Sequence, residues 1–195
     1  MKSIRVVLCC AVIVCSALLI RPLLAETEDV FSFIPAGGRT LFAQVIASRP
    51  PAGEIQAILS AKHTRDEWLA YLKSKSKAVP ALQKLSEQEQ LTLADYLSFN
   101  MPLASAQGPS DIANALPPDG RDFALEKCQG CHIITVVITQ VRPVPAWLGT
   151  MNKPSHSRIK LSREQREALA SYLVLNGGIP IDDVPEELRA GGASY

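Results

Sequence analysis

Two thiols and an imidazole fall within five consecutive residues, Cys128-Gln129-Gly130-Cys131-His132. C-x-x-C-H is the spacing at which a haem is covalently attached. Two cysteines three positions apart on one helical turn can reach both vinyl groups of a porphyrin, and the adjacent imidazole then falls beneath the iron as proximal ligand. The same pair could form half of a zinc site or a thioredoxin-like redox couple. Zinc needs a second pair of ligands at suitable spacing, and His156 is the only Cys or His beyond His132. The pattern puts one covalent haem c, attached at Cys128 and Cys131 with His132 as proximal iron ligand, ahead of both alternatives.

Haem c is attached outside the cytoplasm, so the motif calls for an exported chain. Lys2 and Arg5 form a positive start, residues 6–20 are apolar apart from Ser16, and Leu23-Leu24-Ala25 ends on a small residue suited to cleavage before Glu26. The run of 15 residues is shorter than the ~20 that span a bilayer. Residues 1–25 therefore read as a signal peptide and the protein as periplasmic. Arg21 closes the run as a membrane boundary would, so a membrane association follows only if the segment stays uncleaved.

Three of the five cysteines, Cys9, Cys10 and Cys15, lie in that leader. Only the C-x-x-C pair remains in the mature chain, so no structural disulfide can form beside it. Cleavage also removes Lys2, Arg5 and Arg21 and no acid, leaving 17 basic and 19 acidic side chains, a net charge of −2. Such a balance offers no nucleic-acid surface.

The elements that must hold the motif are written twice. Residues 85–100, LSEQEQLTLADYLSFN, and 161–176, LSREQREALASYLVLN, share seven of 16 positions. Each begins with a capping-box pattern, Ser86-x-x-Glu89 and Ser162-x-x-Gln165. Leu93, Tyr96 and Leu97, and likewise Leu169, Tyr172 and Leu173, stand at i, i+3 and i+4 and make one apolar face. An opening helix precedes each, from Gly38-Arg39 through Leu41, Phe42 and Val45, and from Gly120-Arg121 through Phe123 to Cys128. In register from these Gly-Arg pairs, Cys128, Cys131 and His132 face Ile46, Arg49 and Pro50, so the first copy cannot hold haem c in this way. Each copy has a tryptophan between its two helices, Trp68 and Trp147, with Arg65 and Arg142 upstream. Trp68 reads as a core indole. Trp147 is a candidate wall of the haem pocket.

The divisions that follow are a signal peptide (1–25), an N-terminal arm (26–36), a haem-less helical module (37–103), a linker (104–119), a haem module (120–178) and a tail (179–195). The linker, rich in Ser, Gly and Pro, shows no sustained helical face. Phe31 and Phe33 would share one side of an extended arm. The prolines of the tail exclude a long helix, which leaves it disordered or laid on a partner.

The leader, the C-x-x-C-H helix, the intervening Trp and the closing L-S-x-E/Q-x-x-x-x-L-A-x-Y-L helix together resemble the class I cytochrome c family. The resemblance covers 120–178 by specific motifs, and 37–103 by the closing helix and layout. It implies an all-α fold of two tandem cytochrome c-like modules, the second binding haem. It also implies a proline, matched by Pro143 or Pro145, that orients the proximal imidazole. The family's distal methionine has its candidate in Met151. Met101 follows the closing helix of the haem-less module and is a poor one. His156 is the alternative, because it sits nearer the expected place before the closing helix; Val79 stands at the corresponding place of the first copy. A thioether raises the potential and a second imidazole lowers it.

The function implied is single-electron transfer, not catalysis. The chain would be the haem subunit or dedicated electron acceptor of a periplasmic dehydrogenase, delivering to a downstream cytochrome or oxidase. An open sixth position would instead make it a gas-binding or sensor protein, and a haem serving only as a staple would make it a structural or assembly subunit.

Overall fold

Reciprocal caps start the two longest helices. The hydroxyls of Ser86 and Ser162 accept from the amides of Glu89 and Gln165, whose side chains accept in return from the serine amides at 2.8 Å. Two orphan amide donors are thereby satisfied at each end. The computed structural model describes residues 29–51, 53–103 and 109–189. The leader 1–25 lies outside them, as does the tail beyond Arg189.

Among the described residues all regular structure is helical. The first unit comprises α1 (Gly38–Ala47), α2 (Glu54–Ser60), α3 (Arg65–Lys75), α4 (Pro80–Lys84) and α5 (Glu87–Asn100). A further helix, α6 (Pro109–Ala115), leads to the second unit. There α7 (Gly120–Phe123) widens into a π-helical turn over Ala124–Cys128, followed by α8 (Thr135–Ile138), α9 (Val144–Met151) and α10 (Arg163–Asn176). Short 3-10 turns occupy Pro154–His156, Ile181–Asp183 and Glu186–Leu188. No helix among the described residues is long and apolar enough to cross a membrane.

Each unit has its own core. Leu93, Tyr96 and Leu97 of α5 pack with Leu41, Phe42 and Val45 of α1 and with Trp68 and Leu72 of α3. Leu169, Tyr172 and Leu173 of α10 pack with Phe123, Ala124, Ile138 and Trp147. The opening and closing helices of a unit cross where only glycine fits. A Cβ on Gly38 would lie 2.1 Å from the Cβ of Tyr96, and one on Gly120 would lie 2.2 Å from the Cβ of Tyr172.

The two units also exchange their leading segments. Ile34, just ahead of α1, is buried in the second core, while Ile112 and Leu116, ahead of α7, are buried in the first. Tyr172 Oη donates to the carbonyl of Pro35 at 2.6 Å and Tyr96 Oη to that of Pro117 at 3.0 Å. These two tyrosines are equivalent in the repeat, and so are the two prolines. At the centre, Ser171 Oγ donates to Asp95 Oδ1 at 2.8 Å, again between equivalent positions of α10 and α5. Such reciprocity is that of an isologous interface built within one chain. Asp119 ties the join, capping α7 and accepting from the amide of Arg39 at 2.8 Å.

Three segments differ from the expectation drawn from sequence. The linker carries α6, because Ile112 and Leu116, one helical turn apart, have an apolar surface to bury against. The arm from Asp29 onward is a tight turn and not a strand: Ser32 and Ile34 donate to the carbonyls of Asp29 and Phe31. Phe31 and Phe33 nevertheless both pack on the second core. The tail up to Arg189 lies on its own unit, burying Val184 and receiving a 2.7 Å hydrogen bond from Thr135 Oγ1 at the Leu188 carbonyl.

Candidate functional site

The C-x-x-C-H residues sit where the opening helix of the second unit loosens and ends. The amide of Gln129 donates to Ala124 at 3.3 Å, five residues back, which produces the wide turn carrying Cys128. Single π-helical turns inside α-helices occur frequently at functional sites. The amides of Cys131 and His132 both donate to the Cys128 carbonyl, at 3.1 and 3.0 Å, and fold the pentapeptide into one turn. Gln129 Oε1 then accepts from the amide of Ile134 at 2.7 Å and fixes the exit toward α8. In the first unit the amide of Arg49 donates to Ile46 at 3.1 Å, the same bond in the register deduced from sequence, but Arg49 takes the left-handed φ of 53°.

That turn forms one wall of a cavity of about 690 Å³. Cys128, Cys131 and His132 line it, facing Trp147 and Met151 of α9, Leu169 and Leu173 of α10, and His156 of the following loop. A volume of this size lies within the ~300–1,000 Å³ of small-molecule and cofactor sites. The wall is mainly apolar, and its formal charges are all positive: Lys127, Arg142 and Arg158, with no Asp or Glu. The guanidinium of Arg142 lies over the Trp147 ring, 5.0 Å from its centre, while the Trp147 Nε1 is buried without a hydrogen-bond partner. Trp68 Nε1 is likewise unpartnered, so the indole alone does not single out the second unit. Together, two cysteines, an imidazole, an apolar slot and cations only at its wall suit a flat, anionic prosthetic group such as haem c.

The competing uses of the cysteines fit less well. Burial, with a smaller contribution from neighbouring Cys131, pushes the Cys128 thiol up to about 11. A redox or nucleophilic cysteine requires the opposite, a depressed pKa that populates the thiolate near neutrality. A protein zinc site lacks its ligands too, since among the described residues no group of three or more His, Cys, Asp or Glu side chains gathers at one point.

In the first unit the positions equivalent to Cys128, Trp147 and Met151 are Ile46, Trp68 and Leu72. All three are buried, at 4%, 0% and 1% exposure, inside a filled core. Apolar side chains there stand at the places of Cys128, Trp147 and Met151, and beside them the first unit keeps a pocket of about 500 Å³ lined by residues such as Gln44, Ser48, Pro80 and Glu89, without Cys or His.

Sequence reasoning did not single out Arg166. Its guanidinium donates to the carbonyls of Met151 at 2.7 Å, Ile159 at 2.8 Å and Leu161 at 3.3 Å, and so closes the loop that carries His156. Gln90, its counterpart in the first unit, donates to Leu85 at 3.1 Å and Leu82 at 3.5 Å. The signal available was the Arg/Gln pair at matching positions of the repeat.

Comparison of the chain with protein-family models, curated proteins and solved structures finds no match. The functional reading therefore stands on these residues and their arrangement.

Proposed function

We infer that the chain is an exported c-type cytochrome that carries one covalent haem c in its second unit and transfers single electrons. The supporting observation is the convergence of Cys128, Cys131 and His132 on one wall of the 690 Å³ cavity, whose charged wall residues are all cationic. Haem c, when bound, supplies one reversible electron exchange at its iron. Cys128 and Cys131 would hold the group through two thioether bonds, each the addition of a thiol S–H across a vinyl C=C bond. His132 would provide a nitrogen ligand to its iron. Trp147, Leu169 and Leu173 keep water from the slot. Arg142, at the cavity wall, would offer donors to the carboxylates of the group. Met151 and His156 line the same cavity and are the candidates that would supply a second ligand to the iron.

The first unit keeps its helix pair and exchanged segments without the residues of the motif, so its role is structural recognition. The reading is a docking half that holds a periplasmic dehydrogenase while the second half accepts the electron and passes it to a downstream cytochrome or oxidase. A reductive titration of the purified protein tests the electron-transfer reading. One electron per chain is expected, with a ferrous spectrum unmoved by carbon monoxide. Uptake of no electrons, or a ferrous spectrum displaced by carbon monoxide, contradicts it.

A further inference from the structure

We propose that His156, and not Met151, supplies the second axial nitrogen, which makes the site bis-imidazole; this rests on the haem reading above. The rings of His132 and His156 face one cavity with centroids 6.1 Å apart. Two imidazoles sharing one metal have centroids about 6.3 Å apart, since each nitrogen sits about 2.0–2.1 Å from a bound metal and the ring radius adds about 1.1 Å. The interplanar angle of 43° is open to rings turned about a common axis. Ser155 Oγ lies 3.3 Å from His156 Nδ1, which engages that nitrogen and leaves Nε2 as the ligating atom. Partners of this kind orient a ligating imidazole.

The loop is held for such a task. His156 ends the 3-10 turn Pro154–His156, its amide donating to Lys153 at 2.9 Å and its carbonyl accepting from Ile159 at 3.0 Å. Arg166 fastens the chain on both sides of that turn. Met151 has a different occupation. It follows Trp147 by one helical turn, as Leu72 follows Trp68, and both are buried in the core of their unit.

The test compares the purified wild-type protein with Met151→Leu and His156→Ala, beginning with haem content after denaturation. A chain without covalent haem overturns the underlying reading and this inference with it. With haem present, the ferric wild type should lack the far-red band of a thioether bound to iron, and Met151→Leu should keep the wild-type low-spin EPR signal. His156→Ala should turn high-spin and recover a low-spin signal on addition of imidazole. A thioether band in the wild type that disappears in Met151→Leu, with His156→Ala unchanged, overturns the inference while leaving the haem reading intact.

Discussion

Removing both thiols of the motif, Cys128→Ser with Cys131→Ser, should destabilise the second unit and spare the first. The cavity of about 690 Å³ opens to solvent, and at ~25 cal/mol per Å² leaving its apolar wall uncovered costs about 4 kcal/mol. A domain has only about 5–15 kcal/mol of stability in all. On the proposed haem reading the bound group completes the second core, whereas Ile46, Trp68 and Leu72 pack at the equivalent places of the first. Hydrogen exchange of the double variant, prepared without added haem, should show α10 less protected and α1, α3 and α5 still protected, with a loss of helical circular dichroism confined to the second unit. Wild-type protection throughout α10 and an unchanged denaturation midpoint would refute the reasoning.

Two further outcomes follow from the junction between the units. Because the leading segments are exchanged, Ile34→Ala should destabilise the second unit and Leu116→Ala the first, each by about 2–5 kcal/mol; hydrogen exchange in α10 and α5 respectively distinguishes this from a cost borne by the neighbouring unit in sequence. Asp95 gives a pH dependence. Burial, only partly offset by the Ser171 hydroxyl, raises its carboxyl above the ordinary 3.8, so the folded state binds the proton more tightly than the unfolded state. Its contribution to stability is full below the ordinary value and is lost as pH rises through the raised one. Asp95→Asn should flatten the fall in stability across that window in denaturant titrations run at several pH values. Part of the slope should remain, since burial raises Asp119 in the same sense.

What could be read from the sequence was whatever is written locally or repeated. The two capping boxes, the apolar faces of α5 and α10, and the glycine starts of α1 and α7 all follow from short-range patterns, and the repeat supplied the register between Cys128 and Ile46. Contacts whose partners are backbone groups distant in the chain left no such trace. Arg166 is an ordinary exposed-helix residue by composition; its three carbonyl partners exist only once the loop has folded. Helix α6 escaped because Ile112 and Leu116 are a single apolar pair among prolines and small residues, and they become a face only when the first core is there to receive them. The tail was illegible for the same reason, since Val184 is buried by tertiary contact. Within the site, the order of residues placed Met151 and His156 as rivals, but their difference lies in geometry: His156 shares a cavity-facing ring pair with His132, while Met151 is buried in the core beside Trp147.

The claim on which the whole account depends is covalent attachment at Cys128 and Cys131. Intact and peptide mass spectrometry of the protein, expressed with its leader in a host that makes c-type cytochromes, addresses it directly. The account predicts one haem of added mass, retained after denaturation and found on the peptide containing both cysteines. A mature chain carrying both cysteines as free thiols, with no added mass, would contradict it.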